Sequence, residues 1–360
     1  MATGTPHAGA SAGVGTARKG NADWIALTKE EALEPELPIC DAHHHLWVTR
    51  DHPAAPRYLL EDFLADLDAS STGARHNIVS TVFIDSEAAY RAEGPKEMRP
   101  VGEIEFANGM AAQSASGAHG PIRVAKGIIG HADMTLGEKA GAVLDAMMAA
   151  APERFRGIRH CTTFDTDPRL PKHRDAPRAG MLTEPDFIKG AAELEKRGLI
   201  FESWCWHTQL EELAALARAL PGLTVIANHC GGPLGIGPYA EAPAEVDALW
   251  RKGMRSLAAC GNVVMKLGGL NMVINGHGWE KRDRPPTSDE MVAAAGDRLR
   301  FAIELFGPER GMFESNFPAE RRGVGYGPLW NFFKKVTRDL GAGEKAKLYH
   351  DNAVRIYRLG

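Results

Sequence analysis

Short apolar runs, rich in Val, Ile, Leu and Phe, recur along the chain from Ile39 to its end. Segments with helical start and stop signals separate most of them, an alternation expected of a parallel sheet whose strands are joined by helices. Eight runs are visible, and they are ICDAHHHLW (39–47), IVSTVFIDS (78–86), VAKGIIGHADM (124–134), FRGIRH (155–160), LIFESWCW (199–206), LTVIANHC (223–230), NVVMKLGG (262–269) and GMFESNFP (311–318). The pattern predicts an α/β protein of eight parallel strands.

Three intervening segments carry a capping-box pattern, in which a threonine is followed three residues later by an acidic residue. The pairs are Thr208 with Glu211, Thr183 with Asp186, and Thr287 with Glu290. The first segment keeps leucines at helical spacing until Pro221 and Gly222 end it, the second ends at Gly198, and the third reaches about Phe306. Each predicted helix leads into the next strand, and a terminal helix is expected near 343–358.

This order of elements fits a single-domain (β/α)8 or TIM barrel over residues 23–360, although an open doubly wound sheet shares much of the pattern. Residues 1–22 contain few large apolar side chains to offset the entropy of ordering them, so a mobile leader is predicted there. Residues 268–290 follow the seventh strand and carry several Gly and Pro, which favours a loop over the barrel mouth.

The composition of the chain indicates which kind of ligand or partner it binds. Hydrophobic residues make up 44% of the chain, charged residues 24%, and the formal net charge is -4, which favours a small-molecule ligand over nucleic acid or an anionic membrane. The five cysteines show no CxxC spacing, and no apolar segment is long enough for a secretory signal or a membrane span. The glycine-rich stretch 231–237 lacks both Walker lysine and GxGxxG order. These features predict a cytoplasmic enzyme and leave a homo-oligomer open.

The histidines concentrate at the carboxyl ends of the predicted strands, where parallel barrels build their active sites. His43, His44 and His45 lie on strand one, His131 follows strand three, His160 ends strand four, His207 follows strand five and His229 ends strand six. A random scatter would place roughly one or two of the chain's histidines in such windows. The clustering predicts a functional site.

His43 and His45 are two residues apart on one strand, so both side chains point into the barrel while His44 points toward the helices. Such a pair can supply two ligands to one Zn or Mn ion, because both metals accept neutral imidazole. The alternative is a hydrogen-bonded polar pair near the barrel floor. His207 is a third ligand, a carbonyl polariser or a local helix cap. His229 precedes glycines that let a ligand approach the backbone, and its alternative is a satisfied core histidine.

Seven segments together resemble the amidohydrolase-2 branch of the amidohydrolase superfamily. They are DAHHHLW (41–47), FRGIRH (155–160), HTQLEEL (207–213), NHCGGPLGIGPY (228–239), KLGGLNM (266–272), MFESNFP (312–318) and NAVRIYRL (352–359). The resemblance runs in order from Ile39 to the end and implies a barrel. The branch includes pyrone-dicarboxylate lactonase, sugar-acid lactonases and non-oxidative aromatic decarboxylases.

By this resemblance, His43, His45, His207 and His229 match the histidines of strands one, five and six, and a divalent metal, Zn or Mn, is implied; some lactonases of the branch work without one. The branch's water-activating aspartate falls at Asn316, whose carboxamide can orient water or bond an oxyanion but cannot accept a proton.

A substitute for that aspartate is therefore needed. Glu314 lies two residues before Asn316 on the same face, and it is the first candidate for the general base. The alternative is a buried ion pair with a cation such as Lys266. Glu320 and a neutral histidine are the fallback bases.

These observations predict hydrolysis of a lactone of a carboxylated sugar acid or aromatic catabolite, with the oxyanion stabilised by an ion or by His43, His45 and His207. Further residues are expected to bind the substrate, and they are Arg159, Lys266, the Arg321–Arg322 pair, Trp204 and Trp206. The alternatives are a metal-dependent aromatic decarboxylase and a non-catalytic metabolite-binding barrel.

Overall fold

The computed structural model describes residues 21–172 and 176–360. In this part of the chain eight parallel strands form one sheet, with each strand hydrogen-bonded to the next in chain order. The strands are β1 (Pro38–His44), β2 (Asn77–Ile84), β3 (Arg123–Gly130), β4 (Phe155–Cys161), β5 (Ile200–Trp204), β6 (Val225–Ala227), β7 (Val263–Leu267) and β8 (Gly311–Phe313). A separate pair of two-residue strands joins Glu30–Glu31 to Ser71–Thr72.

A helix follows every strand of this sheet. The helices are α1 (Leu60–Ala69), α2 (Val101–Ala115), α3 (Ala140–Ala150), α4 (Pro185–Lys196), α5 (Leu210–Ala219), α6 (Pro243–Ala258), α7 (Ser288–Phe306) and α8 (Tyr326–Val336). Short helices also span Ala22–Ile25, Ala342–Ala346 and Asn352–Ile356. The apolar faces of α1 to α8 pack on the outer face of the sheet, where they form the main hydrophobic core.

The sheet closes on itself just beyond β8. The amide N–H of Asn316 donates to the carbonyl of His43 over 2.8 Å, and the amide N–H of His45 donates to the carbonyl of Phe317 over 2.8 Å. His44 and Phe317 accordingly form a parallel bridge. An open doubly wound sheet would leave two edges unpaired, so the prediction of a (β/α)8 barrel is confirmed.

The interior of the barrel is filled in two layers of different chemistry. Its lower part is an apolar cluster formed by Cys40, Ala42, Val82, Ile84, Ile129, Ile200, Ile226, Val264, Met312, Ala353, Tyr357 and Leu359. The C-terminal residues of this cluster close the barrel floor from below. Above them lie the buried polar side chains of Glu202 and Lys266, and the histidines lie higher still.

The helix predictions have mixed outcomes. Helix α7 begins with the predicted capping box, in which Thr287 Oγ1 accepts from the Glu290 amide and Glu290 Oε2 accepts from the Thr287 amide. The box predicted at Thr208 is wrong, because His207–Gln209 form a 3-10 turn and α5 begins only at Leu210. The predicted terminal helix is interrupted by a π-helical turn at Lys347–Asp351.

The start of the chain and its loops bear on the remaining predictions. The leader predicted for 1–22 falls outside the described residues except at Asn21 and Ala22, which open the first short helix. The long loop after β7 contains two 3-10 turns, Val273–Asn275 and Trp279–Lys281.

All five cysteines are free and buried. Among the described helices, none combines the length and the apolar character needed to cross a bilayer.

Candidate active site

A pocket of about 330 Å³ opens at the carboxyl ends of the strands, as expected for a parallel barrel. Its lining residues come from the carboxyl ends of seven strands, all but β3, and from the loops after them. They are His45, Arg50, Asp85, Ser86, Glu87, Arg159, Cys161, Pro171, Lys172, Trp204, His229, Met272, Ile274, Asn316 and Ala319. The lining therefore combines apolar and charged side chains.

Glu314 links two of the predicted histidines directly beneath this pocket. Its Oε1 accepts from Nδ1 of His229 over 2.7 Å and from the His229 amide over 3.1 Å, and its Oε2 lies 2.8 Å from Nδ1 of His43. A carboxylate accepts hydrogen bonds and does not donate them, so the His229 imidazole carries its proton on Nδ1 and a lone pair on Nε2. Nδ1 of His43 lies between Oε2 of Glu314 and Nζ of Lys266, which is 3.2 Å away, and Glu314 itself is fully buried.

His45 is oriented in the same way by a backbone carbonyl. Its Nδ1 donates to the carbonyl of Ile84 over 2.8 Å, which leaves the lone pair on Nε2. That Nε2 lies 3.2 Å from Nε2 of His43, so the two imidazoles face each other through these nitrogens across a narrow gap. His44 points outward as expected, where its Nε2 bonds to Thr81 Oγ1 over 2.8 Å.

Burial holds the imidazoles of β1 neutral. Desolvation, followed by the charge of Lys266, lowers the pKa of His43 well below its usual range, and desolvation followed by the charge of Arg159 does the same to the pKa of His45. Both rings are therefore neutral at neutral pH. Neutral imidazole with its second N–H fixed by an acceptor is the form that binds metal ions.

Two glycines make room for this arrangement. A Cβ on Gly268 would lie 2.4 Å from Cγ of Glu314, and a Cβ on Gly269, where φ is +67°, would lie 2.2 Å from Cβ of His229. Both contacts are shorter than van der Waals packing allows. The Gly-Gly step after β7 therefore lets Glu314 and His229 meet at the barrel axis.

Asn316 lies at the pocket wall above Glu314 and has a left-handed backbone, with φ at 54°. Its Oδ1 has no hydrogen-bond partner among the described residues. Glu320, a predicted fallback base, is buried beyond it. Burial, and then the charge of Glu314, raises the pKa of Glu320 to about 8, so its carboxyl is protonated at neutral pH and cannot accept a proton.

The predicted substrate-binding cations lie in different places. Arg159 reaches the pocket, where its Nε donates to Asp85 Oδ1 over 2.8 Å and its Nη1 lies 3.3 Å from Nε2 of His43. Lys266 is fully buried beneath the pocket and pairs with Glu202 over 2.7 Å, not with Glu314.

Arg321 lies away from the lining residues in a buried ion pair with Asp66, over 2.8 Å. Arg322, its neighbour, lines a separate surface depression together with Trp24 and Lys281. The predicted pair after β8 therefore does not reach this pocket.

The remaining predicted residues are also divided. Trp204 lines the pocket with its ring 4.6 Å from that of His229. His207 is buried beside Tyr239, with ring centroids 4.9 Å apart, and is not one of the lining residues. Trp206 packs in the apolar cluster behind Trp204. His160 packs against Phe187 of α4.

Sequence reasoning missed four charged residues of the pocket, Asp85, Glu87, Arg50 and Lys172. Asp85 could have been found, because it directly follows β2 at the same edge of the sheet as the histidines. Arg50 and Lys172 lie in loops, where residue spacing gives no indication of which way a side chain points.

The donor atoms fit a divalent ion. His43, His229 and Glu314 each bring one potential ligand atom within 4.8 Å of the others, the one such group among the described residues. The facing Nε2 atoms of His43 and His45 add a second pair of donors. Nitrogen and carboxylate ligands of this kind suit Zn or Mn.

Comparison with known proteins places these features in a family. The profile described as Amidohydrolase matches residues 40–359. An uncharacterized protein, y4mH of Sinorhizobium fredii, is 31% identical over 342 residues, which cover 90% of this chain and 99% of that protein. An L-fucono-1,5-lactonase of Burkholderia multivorans is 24% identical and covers 89% of this chain and 95% of its own.

Among solved structures, an amidohydrolase from Burkholderia multivorans with bound Zn shares the fold. Its TM-score is 0.66 at 22% sequence identity, over 89% of this chain and 99% of that one. The match covers the barrel that carries the histidines and Glu314. The chain is a hydrolase that belongs to the amidohydrolase family.

Proposed function

We propose that this protein hydrolyses a lactone of a carboxylated sugar acid or aromatic catabolite. The observation that carries the proposal is the set of imidazoles of His43, His45 and His229. Glu314 holds the Nδ1 proton of His229 and the Ile84 carbonyl holds that of His45, so these two rings leave their Nε2 lone pairs for chemistry beside the pocket. The 24% identity to an L-fucono-1,5-lactonase supports a cyclic ester as the substrate.

His229 is the proposed general base. It lines the pocket, and its Nε2 can accept a proton from water while Glu314 stabilises the imidazolium that forms, as a carboxylate does in a catalytic triad. The water oxygen attacks the lactone carbonyl carbon. When the ring C–O bond breaks, the imidazolium returns the proton to the departing alkoxide, and the product is an open hydroxy acid. Asn316 orients the water.

The oxyanion requires a positively charged or donating group. We assign the direct contact to Arg159, because it lines the pocket and its guanidinium only donates hydrogen bonds; its Nη1 lies 3.3 Å from Nε2 of His43. A divalent ion held by His43 and His45 would add Lewis-acid polarisation of the carbonyl. Arg159 is itself oriented by Asp85.

The charge of the pocket supports an anionic substrate. Three cations, Arg50, Arg159 and Lys172, face two acids, Asp85 and Glu87, and Asp85 already pairs with Arg159. A substrate carboxylate would balance the remaining positive charge. The apolar lining residues Trp204, Met272 and Ile274, which pack in one cluster, would contact the ring.

A panel of carboxylated and neutral lactones tests this function by proton release at constant pH. We expect turnover of a carboxylated lactone by the wild type and a loss of kcat of about 10²- to 10⁴-fold in His229→Asn. His277→Asn is the matched control, because His277 bonds to the Leu270 carbonyl and is not a lining residue. Carbon dioxide release without ring opening would select the decarboxylase, and no turnover of any kind would select the binding protein.

The proposed metal site at His43 and His45 is tested separately by measuring the metal content of the purified protein. We expect a divalent metal, Zn or Mn, in the wild type. His43→Ala and His45→Ala should lose the metal, since each removes one of the facing Nε2 donors. Retention of metal and of full activity by both variants would show that this site has been wrongly placed.

A further inference from the structure

A second charged layer lies beneath the pocket. Glu202 on β5 accepts from Nζ of Lys266 over 2.7 Å, from Nδ2 of Asn228 over 2.9 Å and from the hydroxyl of Tyr357 over 2.6 Å. All four side chains are almost completely buried. We call these residues the Glu202 network.

The network touches His43 and adjoins His229 along the chain. Nζ of Lys266 lies 3.2 Å from Nδ1 of His43, on the side of the ring that faces Glu314. Asn228 directly precedes His229, and its backbone is fixed where β6 ends. A displacement of Glu202 would therefore be passed to two of the three imidazoles.

Stability alone gives no reason for charges at this depth. Desolvation of a buried ion pair commonly offsets its attraction, and well-packed apolar residues of similar volume are often as stable or more stable. Other side chains of the same barrel interior, those of Cys40, Ile226 and Val264, are apolar. The Glu202 network therefore points to a role at the site above it.

We propose that the Glu202 network positions His43 and His229, and that the C-terminal segment completes the active site through Tyr357. Tyr357 is separated from Glu202 by 155 residues and enters the barrel from below. Its hydroxyl fixes one carboxylate oxygen of Glu202, which leaves the other for Lys266 and Asn228. Tyr357 is thus a positioning residue that contacts no substrate.

Tyr357→Phe removes this one hydroxyl and keeps the ring. With the lactone that the wild type hydrolyses, kcat should fall about 10- to 100-fold, as for other residues that orient a ligating or catalytic histidine, with little change in KM or in the unfolding temperature. Tyr349→Phe is the matched control. Tyr349 is equally buried, but its hydroxyl bonds to Thr337 over 2.9 Å, outside the barrel interior, so kcat should stay within about twofold.

A double variant separates positioning from folding. Glu202→Gln with Lys266→Met removes both charges and keeps the side-chain volumes, so the fold should be as stable as the wild type while kcat falls. An equal loss of kcat in Tyr349→Phe, or wild-type kcat in both Tyr357→Phe and the double variant, would overturn the proposal.

This proposal rests on the proposed function only because the kcat assays need a lactone as their substrate. Spectra of protein with ¹⁵N-labelled histidine report the tautomer of His43 directly, with its signals assigned by their loss in His43→Asn. The wild type should show a single tautomer of His43, and Tyr357→Phe should show a mixture of the two. Unchanged spectra would refute positioning even if no lactone were hydrolysed, whereas failure of every lactone with changed spectra would refute only the proposed substrate.

Discussion

Glu314 and Asn316 lie two residues apart beyond β8, and their depths decide their chemistry. Asn316 reaches the pocket wall, whereas Glu314 lies beneath it, accepts a hydrogen bond from the His229 imidazole and lies 2.8 Å from Nδ1 of His43. A carboxylate so engaged is better suited to orienting His43 and His229 than to taking a proton from water. We therefore propose His229 as the general base in place of Glu314.

At the same scale, Glu320 predicts a dependence of stability on pH. Its pKa is raised from 4.5 to about 8, so the folded chain binds this proton more tightly than the unfolded chain. The contribution to stability is fully present below about pH 4.5 and is lost as the pH rises toward 8. Glu320→Gln removes this titration, so the variant should gain stability relative to the wild type as the pH rises.

Urea unfolding at pH 5, 7 and 9 measures the effect. The midpoint of Glu320→Gln minus that of the wild type should increase from pH 5 to pH 9. A constant difference would mean that Glu320 titrates alike in the folded and unfolded chains.

Among single residues, the inward orientation of His43 and His45 could be predicted because it follows from the two-residue period of a strand. The contacts of Glu314 with two histidines could not be predicted. It depends on how β1, β6 and β8 are placed around the axis, and on the space left by Gly268 and Gly269.

At the scale of elements, helix caps show what local sequence can decide. The threonine and glutamate at the start of α7 exchange both hydrogen bonds of a capping box. The similar pair at Thr208 does not, because the chain leaves β5 through a 3-10 turn in which Gln209 donates to the Thr162 carbonyl over 2.6 Å. A tertiary contact therefore replaced the cap that the local pattern predicts.

Thr287→Ala should destabilise the protein by about 1 kcal/mol, because it removes the side-chain acceptor at the start of α7. Thr208→Ala is the matched control and should cost less, since Thr208 Oγ1 has no hydrogen-bond partner among the described residues. Urea denaturation measures both, and lactone hydrolysis should be unchanged. A larger loss in Thr208→Ala would contradict the structure of this turn.

At the scale of the whole molecule, the closed barrel brings distant residues together. His43, His229 and Glu314 are far apart in sequence but meet because β1, β6 and β8 end on one face of the barrel. The order of strands and helices could be predicted from apolar runs. The burial of Lys266 and the ion pair of Arg321 with Asp66 could not be predicted. A charged residue near a strand end has the same sequence pattern whether its side chain binds substrate or forms an ion pair.

The most direct test of the account is the kcat of Glu314→Gln on a carboxylated lactone, beside Glu320→Gln, the same change in a neighbouring buried glutamate. A Gln amide cannot accept from both imidazoles, so one ring should take the wrong tautomer and kcat should fall about 10²- to 10⁴-fold. Glu320→Gln should stay near the wild type at pH 7, because that carboxyl is already protonated. Wild-type kcat in a folded Glu314→Gln protein would contradict the account.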